Sequence, residues 1–75
     1  MQRPITKRSI VVGERKTSIS LEPEFFEAFR DIARRERKHL GALAKEIEIS
    51  RPDGTNLSSA IRLYVLADLQ RRAGA

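Results

Sequence analysis

The chain has 75 residues, no Cys, one His and a net charge of +5. A chain this short makes one domain with a marginal core, because it hides only about 60% of its unfolded surface. Disulfides, Cys-bearing zinc sites and His-rich metal sites are excluded, so a homodimer is the expected source of added stability, and the lack of Cys fits a reducing cytoplasm.

The stretch from Met1 to Arg8 has no apolar h-region, so residues 1–7 read as a flexible basic arm and not as a signal peptide. Residues 1–20 hold most of the excess charge, a sum of +4. Arg3, Lys7, Arg8, Arg15 and Lys16 stand there against Glu14 alone. A basic segment on an otherwise balanced domain is a footprint of polyanion binding, and its plain alternative is a solvated tail. Arg3, Lys7, Arg8 and Arg15 are the candidate phosphate contacts.

Strand-forming sequence begins with Ser9-Ile10-Val11-Val12. Arg15–Leu21 then alternates, with Thr17, Ile19 and Leu21 on one side and Lys16, Ser18 and Ser20 on the other. Gly13-Glu14 lies between the two runs. Gly first in a two-residue loop suits a type II′ hairpin, so residues 8–12 are expected to pair back on 15–21. The alternative is one long strand with a bulge at Gly13.

Pro23 holds Glu22 extended and suits the first position of a helix over 23–37. Phe25, Phe26, Phe29, Ile32 and Ala33 form its apolar stripe. These aromatics read as core, with base stacking the remote alternative. A second helix is expected over 40–49, with Leu40, Leu43, Ala44 and Ile47 inward. Ser50–Thr55 is turn chemistry, and Asn56 is a good N-cap for a third helix over 57–72. Its stripe is Leu57, Ala60, Ile61, Tyr64, Val65 and Leu69. Neither Ile10–Val12 nor Tyr64–Ala67, the longest clean apolar runs, approaches a membrane span.

No acid–base pair stands out for catalysis, and a core this small leaves little room for a pocket. Glu24 and Glu27 line up on an exposed helix face, whereas Glu46 and Glu48 lie on different sides of theirs. No enzyme, cofactor or metal is expected, and His39 has no second His or Cys to work with.

The run Lys16-Thr17-Ser18-Ile19-Ser20-Leu21-Glu22-Pro23, followed by Phe25, Phe26, Phe29, Ile32 and Ala33, resembles the ribbon-helix-helix superfamily of the MetJ, Arc and CopG type. Residues 5–72 are similar to a short bacterial subfamily with an added N-terminal β segment and a last helix opening Asn-Leu-Ser-Ser-Ala. The resemblance implies an α+β, mostly α fold: an N-terminal strand or hairpin, then three helices, in an intertwined homodimer. It also implies sequence-specific binding to double-stranded DNA and a regulatory, repressor-type role.

Carried over by position, Lys16, Ser18 and Ser20 are the base contacts, on antiparallel strands that enter the major groove, one from each subunit. The physics agrees, since a two-stranded ribbon fits that groove and Lys can donate to guanine. Lys38 and His39 fall where the family anchors phosphate at the second helix, although Arg37 and His39 replace the Gly and the Ser or Thr cap of many relatives. Ile19, Leu21, Phe25, Phe29, Ile32, Leu43 and Ile47 are the expected dimer core. Thr55–Arg62 itself resembles the start of a second ribbon-helix-helix helix, which leaves the role of the third helix open. A tetramer on DNA stays open, as does an antitoxin-like or adaptor role with a protein partner. No membrane partner is expected.

Overall fold

The computed structural model describes residues 4–74. The order is β1 (Thr6–Val12), β2 (Arg15–Leu21), α1 (Pro23–Arg35), α2 (Leu40–Ser50) and α3 (Leu57–Gly74). The strands form a two-stranded antiparallel hairpin, and the remaining regular elements are helices. β1 starts at Thr6, so Lys7 lies on a strand and not in an arm.

Val12 pairs with Arg15, which leaves Gly13-Glu14 as a two-residue loop and no bulge. Gly13 has φ +66°, and Glu14 is not in the left-handed region. That combination fits type II′, since type I′ needs a positive φ at both loop residues. Along the hairpin Ile10, Val12, Ile19 and Leu21 are buried on one face.

Pairs flanking a two-residue loop are hydrogen-bonded, and so is every second pair beyond them. In this register those pairs are Val12–Arg15, Ile10–Thr17, Arg8–Ile19 and Thr6–Leu21. Lys16, Ser18 and Ser20 therefore turn their backbone N–H and C=O groups to the other edge of β2. At Ser20 that edge is closed by α3. The Ser20 N–H donates to Ser58 Oγ at 2.9 Å, and its carbonyl accepts from Arg62 Nη2 at 3.0 Å. Arg62 Nε also donates to Glu22 Oε1 at 2.9 Å, which ties the start of α1 into the same knot.

The outer edge of β1 is closed by α2. A Cβ added at Gly41 would lie 1.9 Å from the Val11 carbonyl oxygen, so only glycine allows the start of α2 to seat there. Leu43, Ala44 and Ile47 then reach the core beneath the hairpin.

α1 ends in a Schellman motif. Lys38 N–H donates to the Ala33 carbonyl at 2.9 Å and Arg37 N–H to that of Arg34 at 3.1 Å. The left-handed position, usually Gly, is Arg37 at φ +57°. The link from α2 to α3 turns at Gly54, φ +84°, with Thr55 N–H donating to the Pro52 carbonyl at 3.1 Å. Gly at that position and sign is a type II turn. Asn56 Oδ1 then accepts the Ser59 N–H at 2.8 Å, the N-cap expected for α3.

α3 completes the core with Leu57, Ala60, Ile61 and Val65, all buried. Leu69 departs from its expected inward place and is half exposed, at 49%. Asp68 takes the inward position one residue earlier and is buried with Arg35, Arg71 and Arg72 on its carboxylate. All seven residues expected in a dimer core lie in or against the core of this one chain, Phe25 at its margin. α3 supplies the third layer of that core, filling apolar surface that a chain of strands and two helices would leave open.

Two glycine-related positions give opposite expectations. Gly41→Ala should lower stability by about 1–3 kcal/mol, since overpacking against backbone outweighs the better helix propensity of Ala. Arg37→Gly should raise it by about 1 kcal/mol by relieving the left-handed conformation. Urea midpoints compare the two directly.

Burial raises the pKa of Asp68, but hydrogen bonds from Arg72 and Arg71 and the charge of Arg35 hold it below the ordinary Asp range. A carboxyl with a depressed folded pKa stabilises the fold above its unfolded pKa, and that contribution is lost as pH falls through the folded value. Stability should therefore drop as acid is added below about pH 4. Asp68→Asn should flatten that drop, and urea unfolding followed from pH 7 to pH 3 shows whether it does.

Candidate nucleic-acid interface

Burying Ile10, Val12, Ile19 and Leu21 forces the alternate residues of both strands outward. The outward face holds Lys7, Ser9 and Val11 from β1 and Lys16, Ser18 and Ser20 from β2. Across the hairpin Lys7 stands opposite Ser20, Ser9 opposite Ser18 and Val11 opposite Lys16. These are the non-hydrogen-bonded pairs, whose side chains lie closest. No acid occupies any of these positions. Lys7 and Lys16 are exposed and have no ionic partner among the described residues.

This arrangement brings together the three expected base contacts, Lys16, Ser18 and Ser20, on one surface. Lys16 and Ser18 are exposed, whereas Ser20 is half-buried beside α3. The three serines keep the surface low, so a flat polar partner can approach the backbone closely.

The expected phosphate contacts divide. Lys7 shares the outward face. Arg15 turns to α2 instead, where Nη2 contacts both Glu48 carboxylate oxygens at 2.7 and 2.6 Å. That hydrogen bond holds the Glu48 pKa below the ordinary carboxylate range. Lys38 is paired with Glu46 at 2.9 Å and Glu36 at 3.3 Å, and these bonds raise its pKa. Arg8 lies on the inward side of β1 with its guanidinium 4.1 Å from the centre of the Phe26 ring. Its Nε is buried without a hydrogen-bond partner, and Arg30 stands 5.9 Å from the same ring. His39 caps α2 in an extended conformation with no side-chain capping bond. Arg3 lies outside the described residues.

The close seat of Gly41 brings the start of α2 to the turn end of the hairpin. His39, Leu40 and Lys45 line a groove there with Val11 and Gly13. The positive end of a helix dipole therefore borders the outward face, and Lys45 adds a charge beside the turn. Among the described residues no group of His, Asp and Glu could hold a metal ion, and no helix is long and apolar enough to cross a membrane.

Two residues of the outward face, Ser9 and Val11, were not among the expected contacts. The run Ile10-Val11-Val12 reads as uniformly apolar, which hides the alternation of β1. Extending the phase of Ser9 and Lys7 through the hairpin register would have assigned Val11 outward.

Comparison with curated proteins finds no match, and comparison with solved structures finds none either. A family model does match: residues 5–69 fit the ribbon-helix-helix domain. The span runs from just before β1 to residue 69 in α3, so the hairpin, its outward face, α1, α2 and most of α3 fall inside the match. The chain belongs to the ribbon-helix-helix family of DNA-binding regulators.

Proposed function

We propose that this protein is a homodimeric, sequence-specific regulator of transcription that sets β2 of each copy into the major groove of double-stranded DNA. The observation that carries this reading is the outward hairpin face, with three serines, no acid and two lysines that have no ionic partner among the described residues. A β-ribbon fits the major groove, and alternate side chains reach the base edges. Lys16 donates to guanine O6 or N7. Ser18 and Ser20 donate or accept as the base edge requires. Lys7 reaches phosphate, and the start of α2 with His39 anchors a second one.

Dimerisation has an edge to use. Ser20 is occupied by α3, but the backbone groups of Lys16 and Ser18 face outward from β2 with no strand beside them among the described residues. Pairing along that stretch would join the two β2 strands and bring the two basic faces together. Arg15 and Lys38 contribute less than their charge suggests, because Glu48, Glu36 and Glu46 already hold them.

A second reading, an adaptor or antitoxin-like module, draws on Leu63, Leu66 and Leu69, which α3 leaves exposed. Co-purification of a stoichiometric protein partner would favour it over DNA binding.

Selection from random duplexes by gel shift, with light scattering of the free and bound protein, tests the main reading. A dimer that enriches one sequence is expected. Lys16→Ala should change the preferred base at one position per half-site, a cost of about 1–3 kcal/mol there. Lys7→Ala should weaken all duplexes alike and reduce the slope of log affinity against log salt by about 1.8 for the dimer, about 0.9 for each copy's lost phosphate contact. Unchanged duplex binding with alanine at Lys16, Ser18 and Ser20 together would show that the ribbon does not read DNA.

A further inference from the structure

The outward face of the hairpin is polar at every strand position but one. Val11 is apolar, 60% exposed, and stands directly opposite Lys16. A scattered exposed valine needs no explanation on an ordinary surface. Here it is the single apolar side chain among five Lys and Ser residues. Its neighbours Ile10 and Val12 are buried, so the core makes no use of it.

Val11 is also held firmly in place. Its carbonyl lies against Gly41 at the start of α2, which fixes the height of β1 at this point. As a β-branched residue it has few rotamers to lose on contact. Its partner Lys16 is the face's expected guanine donor. Among the base-edge groups of the major groove, the 5-methyl of thymine is the one that an apolar side chain matches.

We infer that Val11 reads the 5-methyl group of a thymine next to the guanine contacted by Lys16. This inference rests on the groove-reading role proposed above. Opposed side chains of such a pair lie about 5 Å apart and base pairs are stacked about 3.4 Å apart, so the thymine falls within one or two base pairs of that guanine. Sequence preference then comes from both strands of the hairpin. Lys16 supplies a polar contact and Val11 an apolar one, and together they distinguish a guanine–thymine neighbourhood from one with cytosine in place of thymine.

Deoxyuridine removes only the methyl group, so it isolates the contact. In the duplex selected by the wild-type protein, each thymine is replaced by deoxyuridine in turn and affinity is measured by fluorescence anisotropy. Wild-type protein should lose about fourfold at one position per half-site, the worth of one buried methyl group. Val11→Ala, which changes both copies in the dimer, should bind the thymine duplex more weakly by about fourfold per half-site, about sixteenfold in all, and should not respond to deoxyuridine there. Its retained discrimination at the Lys16 guanine shows that the variant is folded and docked. Tolerance of deoxyuridine at every position by wild-type protein would overturn the inference, as would an equal response from wild type and Val11→Ala. Lys16→Ala separates the two claims. If it shifts base preference while deoxyuridine has no effect, only the role of Val11 falls. If it shifts nothing and no sequence is enriched, the groove-reading role falls with it.

Discussion

Pairing of β1 with β2 is the constraint on which the molecule depends. Side chains alternate along a strand, so burying Ile10, Val12, Ile19 and Leu21 leaves no freedom for the residues between them. A slip of one residue would push Lys16, Ser18 and Ser20 into the core and expose Ile19 and Leu21. The hydrophobic effect thus holds the register, and the register builds the polar face. Gly13 permits the tight turn that starts it.

Two helices seal the edges of this hairpin, each by a different chemistry. At β1 the seal is steric: Gly41 lets α2 lie against the Val11 carbonyl. At β2 it is polar: Ser58 and Arg62 supply the acceptor and donor that a third strand would have offered to Ser20. The remaining open stretch, at Lys16 and Ser18, coincides with the most exposed part of the expected reading strand. A two-stranded ribbon alone is barely stable, and here packing and edge closure come from within the same chain. The ribbon-helix-helix family binds DNA as dimers, and in this member the core closes around a hairpin before any second copy is added.

Much of this was legible in the sequence. The alternation of β2, the Gly13-Glu14 loop, Pro23 at the start of α1 and the Asn56 cap all act through neighbouring residues, so local rules find them. The absent Gly at the end of α1 was visible as Arg37, and the structure gives its consequence as a positive φ. The missing parts depend on contacts between distant residues. Arg15 and Glu48 are far apart in sequence, as are Arg62 and Glu22, and no periodicity reveals such pairs. Arg8 looked like a free cation but lies on Phe26, where its charge meets the ring face and not solvent alone. The basic N-terminal quarter is therefore more finely divided than its net charge suggests. Within the described part of it, Lys7 and Lys16 face outward, while Arg8 and Arg15 are engaged by the fold.

The central claim is that the outward hairpin face is the surface that meets DNA. Amide chemical-shift mapping by NMR during titration with a short duplex tests it most directly. The largest changes are expected at Lys7, Ser9, Val11, Lys16 and Ser18 and at the start of α2, with the far end of α3 nearly silent. Changes centred on Arg71 and Arg72, with the hairpin unmoved, would contradict it.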